Sequence, residues 1–196
     1  MPDVDIKQIK KLREETGLGM LDCKEALEET QGDFKKAITV LEKKGKVIAE
    51  RRGERKTGQG RVEAYVHGRG KIGVLVELRS ETDFVAKSKE FIKLAHEIAM
   101  QVAAMGPKYL SRDDIPGEML EEKKKIYQEQ FKNENKPPKI IDKIVNGKLE
   151  EFYNQVCLLD QPYIRDDKKK IKDLIDEARA RFGENICIER FVRFEI

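Results

Sequence analysis

The sequence predicts an α+β fold: an N-terminal three-helix bundle, then a core domain in which helices pack on a small three-stranded antiparallel sheet. Three observations predict it. Apolar residues recur at helical spacing through the first 45 residues. Two alternating runs, 62–67 and 72–78, flank a Gly68-Arg69-Gly70 turn, which makes a hairpin. A third alternating run closes the chain over 186–196, and helical periodicity fills the interval before it. The expected division is a helical domain at 1–45, a basic linker at 46–60 and a core α+β domain at 61–196.

In the first helix Ile6, Ile9 and Leu12 share a face, and Thr16-Gly17-Leu18-Gly19 stops it, with glycine supplying positive φ. The second spans about 20–29, with Leu21, Cys23, Ala26 and Leu27 as its apolar set. Asp33 can cap the third, in which Phe34, Ala37, Ile38 and Leu41 face inward and Gly45 fits the stop. Three short helices make a marginal unit alone. The linker is basic, and a helical segment around 46–56 fits it. It reads as a solvated tether or as a contact for ribosomal RNA or an acidic partner.

In the first strand Val62, Ala64 and Val66 alternate with Glu63, Tyr65 and His67. In the second Ile72, Val74, Val76 and Leu78 alternate with Gly73, Leu75 and Glu77. In the third Ile186, Ile188, Val192, Phe194 and Ile196 share a face that Arg190 interrupts. Cys187, Glu189, Phe191, Arg193 and Glu195 line its other face. Between them, Ser88 can cap a helix carrying Phe91, Leu94, Ile98, Val102 and Met105, which Gly106-Pro107 ends. Segment 117–134 has sparse apolar residues and reads as exposed. Pro137-Pro138 opens a helix through Val145 with Gly147 near its end, and Leu149, Phe152, Tyr153 and Val156 continue into another. Asp166 or Asp167 caps a last helix with Ile171, Leu174, Ile175, Ala178 and Phe182, closed by Gly183.

Composition narrows the function. Charged residues make up 39%, yet 40 basic against 37 acidic leaves only +3. That balance suits a soluble surface rather than a dedicated nucleic-acid binder. No apolar run reaches the roughly 20 residues needed to span a bilayer, and the first residues form no secretory signal. Three scattered cysteines, none in C-x-x-C spacing, point to reduced thiols and the cytoplasm. There is no P-loop, and the two histidines are far apart in sequence, which leaves no nucleophile–base pair and no metal or cofactor set. Cys157, between Val156 and Leu158, reads as a small core residue.

Surface recognition remains, and two segments can supply it. The first is Glu81-Thr82-Asp83-Phe84-Val85-Ala86-Lys87, where the second strand ends and a helix begins. Phe84 is either a hydrophobic staple on the following helix, with Asp83 as the cap, or an exposed wedge for a partner. The second is Thr16-Gly17-Leu18-Gly19-Met20-Leu21. Two adjacent apolar residues cannot both face one core stripe, so one of Met20 and Leu21 is expected outside.

The run from Lys11 through Leu12-Arg13-Glu14-Glu15-Thr16-Gly17-Leu18-Gly19-Met20-Leu21-Asp22-Cys23-Lys24-Glu25-Ala26-Leu27 resembles the N-terminal signature of the bacterial elongation factor Ts family. Glu81-Thr82-Asp83-Phe84-Val85-Ala86 is similar to the core signature of that family. Leu158-Leu159-Asp160-Gln161-Pro162-Tyr163 and Arg190-Phe191-Val192-Arg193-Phe194 match it too. The resemblance runs along the whole chain in order, to the short form of the family without an inserted coiled coil.

It implies a guanine-nucleotide exchange factor for elongation factor Tu, not an enzyme, with no cofactor of its own. The bundle is then ubiquitin-associated-like (UBA-like). Thr82, Asp83, Phe84 and Val85 would dislodge the partner's magnesium, with Phe84 as the wedge. Arg13, Met20 and Leu21 would grip the nucleotide-binding domain from the other side. A homodimer through the small sheet is also implied; Tyr65, Leu75 and Phe191 could provide its apolar face. Members that crosslink subunits use a cysteine near Val192, whereas the nearest thiol here is Cys187. The competing functions are a UBA-like adaptor working through residues 1–45 and a ribosome- or RNA-binding protein working through the basic linker.

Overall fold

The computed structural model describes residues 5–131 and 137–196. The fold is α+β, with eight α-helices and a three-stranded sheet among the described residues. The chain forms two compact units, each built from separate stretches. The first takes the chain up to Val62, then 77–93 and 173–189; the second takes 63–76, the described part of 94–172, and 190–196.

In the first unit, α1 (Ile6–Thr16), α2 (Met20–Glu29) and α3 (Phe34–Gly53) form the expected bundle. The Asp5 side chain accepts from the Lys7 N–H at 3.0 Å and starts α1. Gly17, at φ 71°, ends it by donating its N–H to the Arg13 carbonyl at 2.7 Å. Asp33 caps α3 through the Lys36 N–H at 3.1 Å. Ile9, Leu12, Leu18, Cys23, Ala26, Leu27, Ala37 and Leu41 fill the core.

Gly45 is not a stop. Helix α3 continues through it to Gly53, because Leu41, Gly45 and Ala49 form one buried stripe at i, i+4 and i+8. A Cβ on Gly45 would sit 3.6 Å from that of Ala180. That separation is ordinary van der Waals contact, so glycine is tolerated in the helix interior, at a cost of roughly 1 kcal/mol, rather than required there. Residues 46–53 of the expected linker are therefore the last turns of a helix.

The strands β1 (Gln59–His67), β2 (Ile72–Ser80) and β5 (Ile186–Glu195) make the sheet in the order β1-β2-β5. A short helix α4 (Asp83–Ala86) follows β2 and leads into α5 (Lys89–Met105). Ser88 caps α5 as expected, accepting from the Phe91 N–H at 3.3 Å. Gly106, at φ 54°, ends it.

In the second unit α5 covers one sheet face. Its His96 Nδ1 lies 3.2 Å from Glu63 Oε1 on β1, and Arg193 of β5 donates to the Ala103 carbonyl at 3.2 Å. Gln101 is fully buried; it donates to Gln161 Oε1 and to the Pro162 carbonyl, each at 3.1 Å, and accepts from the Ile164 N–H at 2.9 Å. Helices α6 (Gly117–Phe131) and α7 (Pro138–Val156) pack together. The expected exposure of 117–134 holds for α6, which has no buried residue; positions 132–134 lie outside the described residues. Arg112 bonds both Glu150 and Asp160 at 2.6–3.0 Å and lies over the Tyr153 ring.

Four local expectations change. Helix α7 runs unbroken through Gly147, where a Cβ would meet nothing within 4 Å, so the glycine costs the helix little beyond its propensity. Asp166 and Asp167 do not cap the last helix. They begin β4 (Asp166–Lys170), which pairs antiparallel with β3 (Pro162–Tyr163), and α8 (Ile171–Phe182) starts after it. In β1 the face with Val62 and Val66 is the exposed one, while Glu63 and Tyr65 turn toward α5. In β5 the burial alternation changes parity after Ile188: Phe191 and Arg193 are half-buried, and Val192, Phe194 and Ile196 are exposed. The open sheet face therefore carries Val66, Leu75, Val192 and Phe194 rather than Tyr65 and Phe191. Among the described residues no helix is long and apolar enough to cross a membrane.

Candidate functional site

The turn between β2 and α5 places a phenylalanine in solvent on a pinned backbone. Phe84 is 83% exposed, so it staples nothing. The residues on either side of it are anchored. Thr82, not Asp83, is the N-cap of α4; its Oγ1 accepts from the Val85 N–H at 3.4 Å. Buried Val85 and Ala86 point inward and orient α4, so that Phe84 must point out. Ser80, fully buried, donates its hydroxyl to the Thr82 carbonyl at 2.9 Å. On the far side the Ser88 hydroxyl donates to the Val85 carbonyl at 2.8 Å.

Acidic side chains hold the segment from below. Glu184, in the turn between α8 and β5, accepts from both Thr82 donors: Oγ1–H at 2.7 Å and N–H at 3.0 Å. Glu81 accepts from the Asn185 N–H at 2.6 Å and pairs with Arg55 at 3.6 Å. The buried Asn185 amide donates to the carbonyls of Gly53 and Arg55, at 3.1 and 2.6 Å. Those carbonyls belong to the end of α3, which has no further helix to satisfy them. One contiguous set of hydrogen bonds therefore ties Thr82 and Glu81 to the end of the bundle.

Asp83 is exposed and bonds Lys87, one turn on, at 2.6 Å. The Lys87 ammonium holds the Asp83 carboxyl below its usual range, and the carboxylate remains open to solvent. An open cleft of about 420 Å³ lies beside α4, lined by Gln59, Gly60, Arg61, Asp83, Ala86, Lys87 and Ile92. Gly60 is required there. A Cβ on it would meet the Leu78 carbonyl oxygen at 2.4 Å and Arg79 Cα at 2.8 Å.

The second candidate is at the start of α2. Leu18 and Cys23 take the core positions, and both Met20 and Leu21 face out, 37% and 68% exposed. Leu21 was expected in the apolar set of α2; the buried Leu18 before the helix fills that volume instead. Arg13 is exposed in the last turn of α1. The predicted residues thus stand as two groups on different elements of one unit: Thr82 to Val85 on α4, and Arg13, Met20 and Leu21 around the α1–α2 turn.

Glu184 and Asn185 went unseen in the sequence. They lie more than 100 residues from their partners, and a charged residue after a helix-closing glycine carries no local signal. Among the described residues no group of three His, Cys, Asp or Glu side chains is arranged to hold a metal ion.

The chain matches a sequence profile described as Elongation factor TS over residues 8–196. It is 52% identical over 193 residues to elongation factor Ts of Thermodesulfovibrio yellowstonii, covering 98% of this chain and 96% of that one. Identity to the protein of the same name from Coprothermobacter proteolyticus is 53% over 194 residues, 99% and 98% of the two chains. For that of Thermotoga maritima it is 54% over 194 residues, 99% and 96% of the two chains.

Proposed function

This chain belongs to the elongation factor Ts family, a family of translation elongation factors, and from that premise we propose that it is the guanine-nucleotide exchange factor of elongation factor Tu. It binds the GDP-bound GTPase, displaces the magnesium ion and promotes GDP release. One observation carries this reading: a large apolar side chain stands in water on a backbone anchored on both sides. A fold gains nothing from that arrangement, whereas a partner that buries Phe84 gains about 2–3 kcal/mol.

The mechanism is linkage. A protein that binds the nucleotide-free GTPase more tightly than the GDP form must weaken GDP binding by the same factor. It performs no bond chemistry and needs no cofactor, so it is not an enzyme in its own right. Phe84 wedges into the partner near its magnesium site. Asp83, already ionised and exposed, holds polar groups of the segment that the wedge displaces. Thr82 and Val85 shape the turn. Losing magnesium removes the charge that retains the β-phosphate, and GDP leaves. At about 1.4 kcal/mol per tenfold, the wedge alone accounts for roughly two powers of ten. Larger accelerations draw on the second contact, in which Arg13, Met20 and Leu21 grip the nucleotide-binding domain.

The factor acts in the cytoplasm, where its partner works on the ribosome. A homodimer forms through the open sheet face, supported by exposed Val66, Leu75 and Phe194. The reading is tested by release of fluorescent GDP from elongation factor Tu. The chain is expected to accelerate release at micromolar concentration; unchanged release would overturn it.

A further inference from the structure

We propose that Glu184 is a positioning residue for exchange, acting through Thr82 to aim Phe84. The proposal rests on the exchange reading above. Phe84 has almost no fold contact of its own, so its direction is set by the backbone of residues 82–85. Thr82 is extended, at φ −120° and ψ 154°, and stands just ahead of α4. Its N–H therefore has no place in the helix ladder. Glu184 is the acceptor for that N–H and for the hydroxyl, one carboxylate oxygen to each, at 3.0 and 2.7 Å.

The next residue returns a bond the other way: the Asn185 N–H goes to the Glu81 carboxylate at 2.6 Å. Residues 81–82 and 184–185 are thus cross-linked by three bonds to charged acceptors, which are stronger than neutral ones. A cap for α4 alone would not need this, because Thr82 already caps it with its own hydroxyl oxygen. The extra acceptor fixes the φ and ψ from which the wedge projects. Binding then orders less of the segment, and preorganisation of that kind appears as affinity.

The test is GDP release from elongation factor Tu with four chains: unaltered, Glu184→Ala, Phe84→Ala and the double variant. Glu184→Ala is expected to lower kcat/KM for exchange about tenfold. Glu184→Gln, which keeps an acceptor and removes the charge, is expected to lower it about threefold. In the Phe84→Ala background Glu184→Ala should cost nothing more, because there is no wedge left to aim; a general loss of fold integrity would persist there. Amide hydrogen exchange at Thr82 should quicken in Glu184→Ala while the α5 amides stay protected. An active unaltered chain with Glu184→Ala equally active, or a loss undiminished in the Phe84→Ala background, overturns the assignment and leaves the exchange reading standing. An inactive unaltered chain overturns both. If Glu184→Ala does not fold, Glu184→Gln in the same cycle decides.

Discussion

Replacing Phe84 with alanine separates the two things a core-like residue can do. The side chain is 83% exposed, and its neighbours Val85 and Ala86, not it, seat α4 in the fold. Truncation removes about 100 Å² of apolar surface that the partner would cover, worth about 2.5 kcal/mol at about 25 cal/mol per Å². At about 1.4 kcal/mol per tenfold, kcat/KM for GDP release should fall roughly 50-fold. Folding stability should stay within about 0.5 kcal/mol, because no buried contact is lost. Stopped-flow release of a fluorescent GDP analogue gives the first quantity and urea unfolding the second. A variant within about threefold of the unaltered chain would refute the wedge. So would a large drop in stability, since Phe84 would then be holding the fold together.

Met20→Ala with Leu21→Ala should weaken exchange about tenfold with unchanged unfolding midpoint, since both side chains are exposed; a stability loss would return them to the core. Gly60→Ala should destabilise by about 2 kcal/mol or more, as its Cβ would collide with the Leu78 carbonyl; urea unfolding measures it, and a neutral result would contradict the close approach of β1 and β2. Burial pushes the Cys157 thiol up to about 11 from an ordinary 9.0. Its neutral form is the native one, so its contribution to stability is full below pH 9 and is lost as pH rises toward about 11. Native alkylation at pH 8 should accordingly label half-buried Cys187 and spare Cys23 and Cys157, read by mass spectrometry.

The parts of this fold that were legible in the sequence are those set by local periodicity. The hairpin, the long α5 with its Gly106 end and the three bundle helices each announce themselves within ten to twenty residues. What stayed hidden depends on distant partners. Gly45 looks like a stop until Ala180 is beside it, and Asp166 and Asp167 look like caps until Pro162 and Tyr163 pair with their strand. The parity change in β5 after Ile188, with Phe191 half-buried and Arg193 reaching the Ala103 carbonyl, is one that no alternation pattern predicts. The site divides in the same way. Residue chemistry alone favoured Phe84 as a staple over a wedge. Its exposure rules out the staple, because Thr82 takes the capping role and Val85 and Ala86 take the burial. The supports at Glu184 and Asn185 are invisible from the motif itself, since the contact spans half the chain.

The central claim is that the chain releases GDP by dislodging the partner's magnesium. The direct measurement is the rate of GDP release from elongation factor Tu, with and without the chain, across a series of free magnesium concentrations ending in chelator. The account predicts strong acceleration at millimolar magnesium that shrinks as the ion is withdrawn, because chelation has then done part of the wedge's work. An acceleration factor that stays constant across the whole series would contradict it.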